Sequence, residues 1–219
     1  GWLTWELTGS AGWLGIVAFA GMIPVTLVSP FGGVLADRYG HRQMAIIAGV
    51  AGGVVTLTLA LSTILGLTTV TVLLGLSILQ GVAFGLEFPA RQALIPQLCE
   101  RQNMSAALAF NATTFQVGTF LGPVIAGFLI THFGTGASII LYAFTNFWMA
   151  LMILLIRFRP EARDIRENPG FLSEIMGGFR YIAATPALRL LFMMSFTSGL
   201  LLRPYTELLP GFAGEVFGS

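Results

Sequence analysis

The sequence has no lysine: all eleven basic residues are arginines, and ten acids leave a net charge of +1. Only 10% of the 219 residues are charged, against about 25% in soluble domains. So sparse and balanced a charge offers no basic face for nucleic acid and no acidic tail. A single cysteine, Cys99, excludes an internal disulfide framework and a cysteine-cluster metal site. Two histidines far apart in sequence, His41 and His132, argue against a histidine-based metal centre as well. The 27 glycines follow no triplet period, which excludes collagen. What remains is apolar: 55% of the residues are hydrophobic and the mean hydropathy is +0.83. This composition excludes a soluble enzyme, and no cofactor or metal is expected.

The gaps between charges set the architecture. No acid or arginine occurs at positions 7–36, 43–86 or 102–156. A helix needs roughly 20 apolar residues to cross a hydrocarbon core about 30 Å thick. The first gap holds one span, near residues 11–33. The second holds two, parted by the polar stretch 62–69, and the third holds two, parted by 131–136. A sixth span is expected at about 187–209. One such segment alone could be the buried core helix of a soluble protein, but not a succession of them.

Arginine placement orients the spans. Arg38 and Arg42 follow the first span, Arg91 and Arg101 the third, and six more arginines lie between the fifth and sixth. Ten of the eleven arginines therefore fall on one face, and the positive-inside rule makes that face cytoplasmic. A multi-pass protein of the cell (inner) membrane is expected. Gly1-Trp2-Leu3-Thr4-Trp5-Glu6 reads as the outer end of a preceding helix, with tryptophan at the interface. The sequence thus reads as the middle of a larger membrane protein.

Residues 157–169 are charged and contain Pro160 and Pro169, the pattern of an extended linker. Beyond them Phe171, Leu172, Ile175, Met176, Phe179 and Ile182 recur at helical spacing, which predicts an amphipathic helix on the membrane surface. Three regions result: a bundle at 1–156, a cytoplasmic linker with its amphipathic helix at 157–186, and the start of a second bundle at 187–219.

Gly33-Val-Leu-Ala-Asp-Arg-Tyr-Gly40 can be laid over Gly127-Phe-Leu-Ile-Thr-His-Phe-Gly134, with three of eight positions identical. The copies end helices of opposite orientation, as inverted repeats of three helices do; chance similarity of glycine-rich helix ends is the alternative.

Gly33-Val-Leu-Ala-Asp37-Arg38-Tyr-Gly40-His41-Arg42 resembles the G-x-L-A-D-R-x-G-R-R signature between the second and third helices of major facilitator superfamily transporters. It differs at His41, where the family has arginine or lysine. Arg38 and Arg42 would sit well at the carbonyl end of the first span, while Asp37 there needs a compensating group. The resemblance implies that Asp37 meets a helix of the second half and latches the cytoplasmic side shut; arginines that only set topology are the plain alternative. Gly118-Thr-Phe-Leu-Gly122-Pro123-Val-Ile-Ala-Gly127 is similar to the G-x-x-x-G-P-x-x-G-G pattern of exporting, antiporter-type branches. Its small residues allow close backbone approach, and Pro123 permits a bend.

The third span departs from the family. An R-x-x-Q-G signature is expected, but the chain has Ser77-Ile-Leu-Gln80-Gly81, without the arginine associated with proton transfer. Glu87-Phe-Pro-Ala-Arg91-Gln-Ala-Leu-Ile-Pro, with Asn111 after it, resembles the D-x-P-A-R-Q-A-L-x-P stretch of the branch containing enterobactin exporters and macrolide-efflux proteins. Glu87 and Arg91 join the candidate latch. Arg203 and Glu207 interrupt the last span, where an arginine costs roughly 2.5–3.5 kcal/mol at the centre. They form either a compensating pair or a charged gate. Gln80, Asn111, Gln116 and Asn146 are weaker cavity candidates, since lone amides often only bridge helices.

The implied fold is an all-α partial major facilitator bundle, its second to sixth helices plus the seventh. The implied activity is secondary active export of a small amphipathic molecule such as a drug, macrolide or siderophore. Alternating access, proton antiport and a monomer at full length go with it. An uptake symporter of the same fold, or a membrane structural or sensor module that moves nothing, are the alternatives. Only the Gly122-Pro123 signature speaks against the symporter.

Overall fold

The computed structural model of the chain describes residues 1–156, 177, 180–191, 193, 194 and 197. Its helices are α1 (Trp2–Thr8), α2 (Ala11–Tyr39), α3 (His41–Ile64), α4 (Val70–Leu98), α5 (Met104–Phe133) and α6 (Thr135–Leu155), with a 3-10 turn at Arg101–Asn103. No strand occurs among the described residues. Each of α2 to α6 is long and apolar enough to cross a membrane, so the first five expected spans are present. Most of the expected surface helix and sixth span, and Arg203 and Glu207 with them, lie outside the described residues.

The chain divides into two compact units, residues 1–19 with 159–219, and residues 20–158. In the first, α1 stops at Gly9, whose N–H donates to the Trp5 carbonyl at 2.8 Å. Residues 181–184 and 186–191 are helical, and Arg189 N–H donates to Thr185 O at 3.0 Å.

The second unit is built on α3, which packs on both α4 and α6. Three glycines of α3 make this possible. A Cβ on Gly49 would touch Met149 and Ala150 of α6, and one on Gly52 would touch Gln80, Ala83 and Asn146. On Gly53 it would run into the Phe147 ring at 2.8 Å. The contacts of Gly49 with Ala150 and of Ile64 with Gly136 make α3 and α6 antiparallel. Helices α2 and α4 run parallel and touch backbone to backbone: a Cβ on Gly81 would collide with the Gly21 carbonyl, and one on Gly32 would lie 2.6 Å from the Gly85 carbonyl. Small residues matter here because, in lipid, helices associate through close packing rather than through expulsion of water.

Two turns differ from the sequence expectation in the same way. The first span does not stop near Gly33; α2 stays helical through Pro24 and Pro30 to Tyr39, and the connection to α3 is Gly40 alone. The Asp37-Arg38 pair therefore sits on the last turn of a helix and not in a loop. Gly134 alone joins α5 to α6. Both glycines have positive φ, 100° and 82°, a region that a Cβ makes costly. The two copies of the eight-residue repeat thus end in the same one-residue turn.

Candidate functional site

Asp37, His41 and Arg42 gather where the α2–α3 turn meets the ends of α4 and α6. Beneath them lies a small apolar cluster drawn from four helices: Ala36, Ala45, Ala90, Leu94 and Ile153, with Met44, Ile46 and Met149 against it. Alanines dominate, so the four backbones come close and the polar groups of the turn reach one another over a short distance.

Asp37, on the last turn of α2, is placed against helix-end carbonyls that disfavour an anion. Its compensating group is His41, the residue that departs from the family signature: Nε2 lies 2.9 Å from Asp37 Oδ1. The other ring nitrogen, Nδ1, lies 3.2 Å from Gln97 Nε2 at the end of α4. A ring carrying its proton on Nε2 donates to Asp37 and accepts from Gln97, satisfying both contacts. Nothing in the sequence pointed to Gln97.

Arg42, expected beside the carbonyl end of α2, reaches the carbonyl end of α6. Its Nη2 donates to Leu154 O at 2.6 Å and its Nε to Ile153 O at 3.3 Å, both at the end of α6. The cause is geometric. Side chains in the first turn of a helix lean toward its N-terminus, and antiparallel α6 ends there. Its last carbonyls have no partner within the helix, and a guanidinium suits them in charge and in fork geometry.

Glu87 and Arg91 pair within α4, Arg91 Nε donating to Glu87 Oε1 at 2.9 Å. The carboxylate is almost fully buried, while Arg91 is half-buried with its guanidinium over the Phe88 ring. Ten residues separate Glu87 from Gln97, about 15 Å along the helix, so this pair is placed deeper than the Asp37 network. Gly40 is accounted for by its φ. Gly33 is not: a Cβ there meets nothing within 4 Å. The same holds for Gly118, Gly122 and Gly127 of α5, a helix with no buried residue. Within the described residues, then, these small residues bring no backbones together. Pro123 lies inside an unbroken α5.

The amide candidates separate into two kinds. Gln80 accepts from Thr56 Oγ1 at 3.1 Å and donates to Tyr142 Oη at 3.2 Å, tying α3, α4 and α6 together. Asn146 is buried and donates to the Tyr142 carbonyl at 2.8 Å. Both belong to helix packing, with Thr56 and Tyr142 as partners the sequence did not single out. Asn111 instead donates to Gln92 at 3.5 Å on the exposed side of α4 and α5, and Gln116 of α5 is exposed.

Residues 1–218 match the model of a family described as transmembrane secretion effectors. The enterobactin exporters EntS of Escherichia coli O1:K1 and of Shigella boydii serotype 18 are each 28% identical to it over 183 residues. Those matches cover 84% of this chain and 42% of each exporter, so the chain spans less than half the length of these relatives. No solved structure matches it. With five apolar helices and a family model covering nearly all its residues, the chain is a multi-pass membrane protein and belongs to the transmembrane secretion effectors of the major facilitator superfamily.

Proposed function

We propose that this chain forms the first-half core of a secondary active exporter, which moves a small amphipathic molecule outward by alternating access coupled to proton entry. The observation that carries this reading is the contrast between two kinds of glycine. Those of α3 and those on the α2–α4 seam are filled by neighbours, whereas Gly33 and the α5 glycines of the exporter-type signature face open space. A rigid bundle that keeps small-residue surfaces open suits rocking against a second bundle. The arginine-bearing end is then cytoplasmic, in an inner membrane. There Asp37, Arg38, Gly40, Arg42, Glu87 and Arg91 set the latch, while Asn111 and Gln116 on α5 face the substrate path. The similarity to enterobactin exporters favours a siderophore-like or drug-like substrate over a sugar or an amino acid.

The test is transport by the full-length protein in everted membrane vesicles. Proton-dependent accumulation of a siderophore, macrolide or amphipathic dye is expected, and it should collapse with a protonophore. Uptake in right-side-out vesicles with none in everted ones would make the protein an importer. No movement in either direction would make it a non-transporting module.

A further inference from the structure

Arg42, beside the α2–α3 turn, bonds backbone atoms of another helix, 111 and 112 residues away in sequence. Four carbonyls at a helix end lack helical partners. Here Arg42 takes those of Ile153 and Leu154, and the N–H of Ile156 closes the Met152 carbonyl at 3.1 Å. Ile156 itself is extended, with φ −65° and ψ 124°, so helix α6 ends at the guanidinium. Ile153 also belongs to the apolar cluster that contains Ala36 and Ala45, the residues flanking the α2–α3 turn. The turn and the end of α6 are therefore fastened twice, once by apolar contact and once by a charged fork.

We propose that Arg42 is a positioning residue: it fixes the end of α6, and with it the point where the inter-bundle linker sequence begins, to the α2–α3 turn. The turn and the end of α6 then move as one body when the bundles rock. This rests on the transport reading given above. A lysine cannot reproduce the role fully, since an ammonium lacks the planar fork that addresses two successive carbonyls. The clamp is additional to the place of Arg42 in the latch, because it joins two parts of the same bundle and need not open in either state.

The test uses the full-length protein in nanodiscs with spin labels at Gln43 and Ile156, and amide exchange read over 154–156. In the parent protein the label distance should be single and narrow. Arg42→Gln should broaden it and speed exchange at the α6 end by roughly tenfold, the scale of one lost charged hydrogen bond. Arg42→Lys should lie between. Asp37→Asn, which leaves the fork intact, should keep the distance narrow. Transport per molecule by Arg42→Gln should fall in maximal rate with little change in apparent KM, since the residue lies away from the substrate path. An unchanged distance in Arg42→Gln would overturn the clamp. Broadening with an unchanged rate per molecule would reduce it to a structural cap and overturn the positioning role. If the parent protein moves no substrate, the transport reading fails and the positioning role with it, while the distance and exchange still report the clamp.

Discussion

His41 closes on Asp37 across a single glycine, with Nε2 2.9 Å from Oδ1. The two belong to different helices, one ending α2 and one beginning α3, yet they are only four residues apart because Gly40 makes the entire turn. Asp37 remains largely exposed, 72% by side chain, and His41 much less so at 20%. A hydrogen bond this exposed adds little net stability, because water competes for both groups, so this contact orients the carboxylate more than it stabilises the fold.

The consequence is a separation of stability from state. Asp37→Asn in the full-length transporter should leave membrane levels and thermal stability near those of the parent. It should shift the conformational equilibrium toward inward-open by roughly 1–3 kcal/mol, the usual size of such couplings. His41→Gln should shift it less, because Asp37 keeps its charge. Thiol accessibility of single cysteines on the two sides of the membrane measures the shift. Wild-type transport by Asp37→Asn would show that this turn only sets topology.

The glycines give a second prediction. Gly81→Ala pushes a methyl group into the Gly21 carbonyl, a backbone atom that cannot rotate away. Gly53→Ala meets only the Phe147 ring, which can. Overpacking costs typically about 1–3 kcal/mol, and Gly81→Ala should fall at the upper end with Gly53→Ala below it. Gly118→Ala and Gly122→Ala meet open space and should leave the thermal stability of this half unchanged. If they abolish transport all the same, the α5 face is a working surface; detergent melting curves beside vesicle transport separate the two effects.

Much of this architecture was legible because charge is so scarce. The gaps at 7–36, 43–86 and 102–156 place five helices, and the polar turn expected at 62–69 falls at 65–69, with Thr69 capping α4 by accepting from Val72 N–H. The two signatures were equally plain. What the sequence could not show was which partner each polar group takes. Arg42 bonds carbonyl oxygens, which leave no residue-specific trace. Gln80 looked like a cavity residue because it follows a family signature, but its amide turns toward Thr56 and Tyr142. That choice depends on the rotation of α4 about its axis, set by Gly81 and Gly85 against α2. Length and hydropathy carry no information about helix rotation.

The third prediction concerns burial. Glu87 has a side chain only 6% exposed and Arg91 hydrogen-bonded to it. Removing one partner of a buried pair leaves an uncompensated charge, at about 3–5 kcal/mol. Arg91→Gln should therefore lower melting temperature and yield markedly, and Glu87→Gln less, since Arg91 is the more exposed partner and can reach water. The double variant should recover most of the loss. Additive losses would mean that the two residues act separately.

The last prediction is topological and rests on the arginine bias. In intact cells, a cysteine at Gln43, beside the α2–α3 turn, should be shielded from impermeant thiol reagents and react after permeabilisation. A cysteine at Ser138 in the first turn of α6 should react from outside, because α6 begins at the end of the bundle opposite to Arg42. Cys99 must first be replaced by serine, since it is partly accessible and free. The two sites lie at opposite ends of the antiparallel pair α3 and α6, so the fold forbids both from reacting on the same side. Labelling at Gln43 from outside, with Ser138 protected, would invert the whole bundle and overturn the export direction with it.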